Sequence, residues 1–480
     1  MQLDARRRWL ALVVLCLGVL MIVLDTTIVN VALPSIRQDL QFTDASLVWV
    51  VNAYMLTFGG FLLLGGRLGD LYGQRRLFLA GIVLFTVASL ACGLAQSQQM
   101  LVAARAVQGI GGAVVTSVAL SLIMMLFTEP AERAKAMGVY GFVCAGGGSV
   151  GVLLGGLLTS AFNWHWIFLV NIPIGLVVFL WCLRLLPGGS GHAAGGKLDV
   201  AGAVTVTSAL MLAVYAIVNG NEAGWTTPWT LGLLALAAVL LVAFLVIGSR
   251  VREPLMPLAM FRLRNVAAAN VVGVLWAAAM FAWFFLSALY MQLVLGYGPM
   301  EVGLAFLPAN LIMAAFSLGL SAKIVMRFGI RGPLCIGLVL AGAGLALFAF
   351  APVEGEFAVH VLPGMVLLGF GAGLAFNPVL LAAMSDAAPA DAGLASGLVN
   401  TSFMMGGALG LAVLASVAAA RSAGLQASGT EAIAALNAGY QVAFLLGAVF
   451  AAGAGVFGYL VIRARMPEAA ANEGVAVALE

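Results

Sequence analysis

The stretch "GRLGDLYGQRR", Gly66 to Arg76, has a partner in "AKIVMRFGIRG", Ala322 to Gly332. When the two are laid over one another, Arg67 falls on Lys323, Leu68 on Ile324, Tyr72 on Phe328, Gly73 on Gly329 and Arg75 on Arg331. Met326 replaces Asp70 in the second copy. Each copy lies between two long apolar runs, so the chain reads as one arrangement of helices present twice.

Around these stretches the 480 residues are 63% hydrophobic and 9% charged, with a mean hydropathy of +1.11. Soluble domains carry about 25% charged residues, which excludes one here. Apolar runs near the ~20 residues that cross a bilayer recur along the whole length. They fall at 9–33, 46–64, 77–95, 100–127, 136–160 and 166–186, then 200–218 and 229–247, then 266–290, 302–322, 333–351, 359–381, 393–420 and 440–462. The expected fold is therefore an all-α membrane protein of fourteen spans, with two six-helix bundles and an inserted two-helix hairpin. The domain limits that follow are 1–186 for the first bundle, 187–264 for the linker with spans 7 and 8, 265–465 for the second bundle, and 466–480 for a tail.

Charge placement orients this count. With the N-terminus inside, all of the 22 basic residues but Arg37, Arg421 and Arg105 fall on cytoplasmic segments. Both termini are then cytoplasmic, in the cell (inner or plasma) membrane. The apolar run after Arg6, Arg7 and Arg8 is too long for a signal peptide and reads as an uncleaved first span. The net charge of +3 is a topology signal, and no nucleic-acid partner is expected. Cys16, Cys92, Cys144, Cys182 and Cys335 share no ligand spacing, and His165, His192 and His360 are scattered, so no metal and no disulfide are expected. No HExxH and no cluster of acids lies within the spans, which argues against an enzyme.

Two charges fall deep in spans, Asp25 in span 1 and Arg105 in span 4. Counted at 1.5 Å per residue they lie about 13 Å and 9 Å from one membrane surface, close to a common level. Burial favours a neutral acid and a nearby arginine favours the carboxylate, so a change in their separation can bind or release a proton. Asn30, Asn52, Gln108, Asn377 and Asn400 are polar at membrane depth, candidates for hydrogen bonds between helices or for the wall of a cavity.

These residues carry a resemblance to the major facilitator superfamily, and within it to the fourteen-helix drug:proton antiporters, over nearly the whole chain. "GGRLGDLYGQRR" resembles the family's loop 2-3 motif, with Gly66, Arg67, Asp70, Gly73, Arg75 and Arg76. "LVAARAVQGIGGA", Leu101 to Ala113, resembles the span-4 motif, and "LDTTIVNVALP", Leu24 to Pro34, the span-1 motif. "WHWIFLVNIPIG", Trp164 to Gly175, resembles the opening of span 6, with His165 where the family has arginine. In span 5, Gly138, Gly147, Gly151, Gly155 and Gly156 meet the antiporter motif, and Val152 replaces its proline.

The resemblance implies an exporter of lipophilic, cationic or neutral drugs, coupled to protons through Asp25 and Arg105, working by alternating access as a monomer and without a cofactor beyond the proton gradient. It implies that Asp70 latches onto the start of the matching helix near Ala392 and Gly393, an interaction of about 0.3–1 kcal/mol for a carboxylate at a helix N-terminus. Gly147, Gly151 and Gly155 recur every fourth residue, a groove for a neighbouring helix that in the family comes from the other half. Three other readings are a dedicated metabolite or antibiotic exporter, a non-transporting sensor on the same fold, and a membrane-embedded enzyme.

Overall fold

A computed structural model describes residues 4–43, 46–127, 129–186, 199–251, 254, 256–316, 320–386 and 392–463. The expected tail at 466–480 lies outside them. Every regular element among the described residues is helical. They are α1 (Ala5–Leu40), α2 (Trp49–Tyr72), α3 (Gln74–Gly93), α4 (Gln98–Leu126), α5 (Pro130–Ala161), α6 (Trp166–Leu169), α7 (Asn171–Leu185), α8 (Val200–Ala223) and α9 (Pro228–Arg250). After these come α10 (Arg264–Leu289), α11 (Pro299–Ala315), α12 (Ser321–Phe328), α13 (Arg331–Ala349), α14 (Leu362–Ser385), α15 (Ala392–Ala427) and α16 (Ala432–Val461).

Among the described residues, 12 helices are long and apolar enough to cross a membrane. Shorter apolar helical stretches, Val150–Ala161 and Pro299–Ala315, fall where two further spans were expected. Contacts divide the chain into two units, one of Met1–Met256 with Met291–Leu304 and one of Pro257–Tyr290 with Ala305–Glu480. In the first unit α1 packs on α5, α3 on α4 and α7, and α2 on α4 and α8, while α8 pairs with α9. In the second, α10 packs on α15 and α16, and α13 on α14 and α16.

Three sequence expectations change shape. The "loop" after span 2 is mostly helix, because α2 continues to Tyr72 and α3 begins at Gln74. Gly73 alone turns the chain, with φ 96° and its N–H donating to Gly69 O at 3.0 Å. Gly329, its match in the second copy, has φ 75°, and both need the left-handed backbone that glycine adopts without strain. Pro34, expected near the end of span 1, sits inside α1, which continues to Leu40. Proline withdraws one intrahelical bond and crowds the preceding turn. Here Gln292 Nε2 donates to Val31 O at 2.9 Å and adds a partner in that turn. Span 6 is broken at Val170 into α6 and α7, with Pro173 in the first turn of α7, where a missing N–H costs no helical bond.

The glycine row on α5 requires a correction. Gly147, Gly151 and Gly155 face α1 of the same unit, in place of a helix from the other half. A Cβ at Gly155 would lie 2.7 Å from Ile28 O, and one at Gly147 would lie 2.9 Å from both Leu20 and Val23 side chains. Small residues every fourth position let the two helix backbones meet, as they do in membrane helix pairs. Gly156 and Val152 face elsewhere: a Cβ at Gly156 would lie 2.8 Å from Pro299 O, and Val152 O lies 3.0 Å from a Cβ built on Gly303. Val152 is buried in an α5 that runs without interruption from Pro130 to Ala161. Gly138 is also in α5, and its surroundings lie outside the described residues.

Candidate functional site: a buried ion pair inside the first unit

Six helices of the first unit converge on Asp25. The residue is on α1 with 0% exposure, and Arg105 on α4 has 1%. Arg105 Nη1 donates to Asp25 Oδ2, and its Nε donates to Val50 O of α2 at 2.9 Å. Nη1 also donates to Gln108 Oε1 at 2.7 Å, one helical turn further along α4. The guanidinium carbon lies 4.4 Å from the Tyr54 ring centroid and 5.6 Å from that of Phe168. A buried cation of this kind is stable only if its donors are used, and backbone, amide, carboxylate and ring faces take them up here.

The other carboxylate oxygen is held by amides. Gln108 Nε2 donates to Asp25 Oδ1 at 2.8 Å, and Asn171 Nδ2, at the first residue of α7, donates to the same atom at 3.0 Å. Both amides also donate to Ser89 Oγ on α3, at 3.1 and 2.9 Å. Ser89 Oγ in turn donates to Phe168 O of α6 at 2.9 Å, which leaves its lone pairs free for the two amides. The Cys92 thiol donates to Gln108 Oε1 at 3.6 Å. Every group on Asp25 is a donor, an arrangement that fits the ionised acid.

Of the residues singled out in the sequence, Asp25, Arg105 and Gln108 come together here. Ser89 and Asn171 were not singled out, although Asn171 lies within the quoted "WHWIFLVNIPIG" stretch. Asn30 does not join the site, because its Nδ2 donates to Thr26 O and Thr27 O of its own helix at 3.3 and 3.4 Å. Asn52 is fully buried, and its amide has no partner among the described residues. Asn377 and Asn400 are half-buried on α14 and α15, in the second unit.

The loop-motif residues form a separate place at the α2–α3 corner. Arg75 Nη2 donates to Leu183 O at 2.6 Å and so covers a carbonyl at the end of α7. Arg76 is exposed, Gly66 lies 3.8 Å from Ser117 by its built Cβ, and the side chains of Arg67 and Asp70 lie outside the described residues. His165 stacks on Trp164 with ring centroids 3.7 Å apart, and Trp164 Nε1 donates to Asp39 Oδ2 at 2.9 Å. Burial lowers the His165 pKa below the usual histidine value, against opposing pulls from Asp39 and a hydrogen bond to the Ala95 backbone.

A duplicated array of apolar helices with a charged pair buried in one unit is an arrangement that membrane transporters use. The chain belongs to the Major Facilitator Superfamily, whose profile matches residues 15–411. It is 40% identical to the puromycin resistance protein of Streptomyces alboniger over 91% of this chain and 88% of that one. It is 36% identical to the multidrug resistance protein Stp of Mycobacterium tuberculosis over 86% of this chain and 76% of that one. Among solved structures it resembles a bacterial homologue of the human lysosomal transporter Spinster, inward-facing and unoccupied, with a TM-score of 0.67 at 18% identity over 97% and 100% of the two chains. The protein is thus a multi-pass membrane transporter related to antibiotic and drug resistance exporters, and not an enzyme.

Proposed function

We propose that this chain is a proton-coupled exporter of lipophilic, cationic or neutral drugs that works by alternating access in the cell membrane, as a monomer and without a cofactor other than the proton gradient. The observation that carries the reading is the Asp25–Arg105 pair, buried to 0% and 1% exposure inside a membrane-spanning unit. Charge at that depth is expensive and marks ion or substrate pathways. Protonation of Asp25 removes the anion, and Arg105 keeps Val50 O, Gln108 Oε1 and two ring faces as partners. The cation is therefore not stranded when the proton binds, which a coupling site requires.

In this reading α8 and α9 are a hairpin inserted between two six-helix bundles at 1–186 and 265–465, fourteen spans in all, with both termini cytoplasmic. Gly66, Arg67, Asp70, Gly73, Arg75 and Arg76 act as the switch, and the α5 glycines hold α5 on α1 while the halves rock. Efflux of a panel of fluorescent compounds in inverted vesicles, with and without a protonophore, tests the reading. Transport of several unrelated lipophilic compounds, abolished by the protonophore, is expected. Transport that persists after the gradient collapses contradicts it. A second reading, an exporter dedicated to one antibiotic, is favoured by the relative named for puromycin resistance. It predicts that a single compound class moves.

A further inference from the structure

Asn171 carries an oxygen that the resting network does not use. Its Nδ2 makes two hydrogen bonds, to Asp25 Oδ1 at 3.0 Å and Ser89 Oγ at 2.9 Å, while its Oδ1 is buried with no hydrogen-bond partner among the described residues. An orphaned buried acceptor is costly, about 1–3 kcal/mol, and asks for a reason. Of the three side chains that touch Asp25, Arg105 has no acceptor, and Gln108 Oε1 already receives Arg105 and Cys92. Asn171 Oδ1 is the acceptor left over.

We infer that Asn171 is a positioning residue that reads the protonation state of Asp25: its amide donates to the carboxylate and turns over when Asp25 takes a proton, so that Oδ1 accepts the new O–H. The inference rests on the proposal that Asp25 is the coupling acid. An asparagine suits this because one half-turn of its terminal bond exchanges donor for acceptor within the same volume. On turning, Nδ2 leaves Asp25 and Ser89 together. Asn171 stands at the break between α6 and α7, and Ser89 is anchored to Phe168 O of α6, so the change arrives where the chain is already interrupted.

The charged and titratable groups that face this pair are few. Arg105 comes from α4, Tyr54 from α2 and Cys92 from α3. α5 has no ionisable residue from Gly147 to Gly156, where it packs on α1, and α6 has none. On α7 the ionisable residues Cys182 and Arg184 lie at the end away from Asn171.

The test is infrared difference spectroscopy of the full chain in lipid across a pH step, alongside the pH profile of efflux. Asp25→Asn identifies the carboxyl band, and Asn171→Ser identifies the amide band, since serine can donate or accept and keeps the exchange. Wild type is expected to give both bands with one midpoint. Asn171→Ser is expected to lose the amide band and keep the efflux profile within about threefold in proton concentration. Asn171→Leu can neither donate nor accept. The carboxylate then loses the Asn171 Nδ2 donor and the protonated acid loses the Oδ1 acceptor; the charge-assisted bond is the stronger of the two, so the profile moves toward alkaline, by no more than about tenfold. A carboxyl band with no linked amide band, or a profile in Asn171→Leu that moves toward acid or well over tenfold toward alkaline, as loss of a donor alone would give, overturns the inference and leaves Asp25 as the coupling acid. Absence of the carboxyl band overturns both.

Discussion

In the first unit α5 lays Gly147, Gly151 and Gly155 on α1; in the second, α15 lays Gly406 and Gly410 on α10, where a Cβ built on Gly406 would lie 2.8 Å from the Val274 Cα and one built on Gly410 would meet the Ala278 Cα. Arg75 donates to Leu183 O near the end of α7, and Arg331 donates to Tyr459 O near the end of α16. Gly73 and Gly329 turn the two corners with positive φ. The polar interiors differ. The first unit buries Asp25 and Arg105, whereas the buried polar residues described in the second are Asn, Ser and Thr. Asn270 there donates to Val266 O of its own helix at 2.8 Å. The two units share the way their helices meet, and among the described residues the buried ion pair stands in the first.

The comparison breaks most readily at the charges. Arg105→Met leaves a buried carboxylate with amides alone and should cost about 3–5 kcal/mol, seen as a large drop in melting temperature together with loss of efflux. Asn270→Leu, which removes a local bond in the other unit, should cost no more than about 1 kcal/mol. Similar losses for the two would contradict the asymmetry.

The glycine rows come next. Gly155→Leu and Gly410→Leu push side chains into facing backbone and should each cost about 1–3 kcal/mol in thermal unfolding. A tolerated substitution in one unit would end the parallel there. Arg75→Ala and Arg331→Ala should lose about 0.5–1.5 kcal/mol or less, equally in the two units, since the bonds lie near solvent.

The smallest effect is expected at His165. Its folded pKa is lowered by burial, so the unfolded chain takes up its proton first. Stability is then full above about pH 6.5 and falls as pH drops from there through the folded value. Melting curves of wild type and His165→Gln should separate on acidification and coincide at pH 8. Parallel curves across that range would remove the effect.

Much of this was legible in the sequence, for physical reasons that can be named. Asp25 and Arg105 stand out because charge in an apolar run is rare, and Gly73 and Gly329 because a matched pair of corners needs them. Asn171 and Ser89 did not stand out, since small polar residues are ordinary in membrane helices and nothing in their spacing tells that α3 and α7 meet at Asp25. The α5 glycines announced a close approach without naming its partner, because a row of small residues is complementary to any smooth helix. The run of α1 beyond Pro34 was hidden too, as a side chain far along the chain, Gln292, supplies a partner in that turn.

In the proposed function Asp25 couples export to the proton gradient. That coupling is tested most directly by an imposed pH gradient across proteoliposomes holding wild type or Asp25→Asn, with efflux of one fluorescent substrate followed in time. Gradient-driven efflux is expected in wild type, and only gradient-independent exchange in Asp25→Asn. Gradient-driven efflux by Asp25→Asn at the wild-type rate would contradict the coupling.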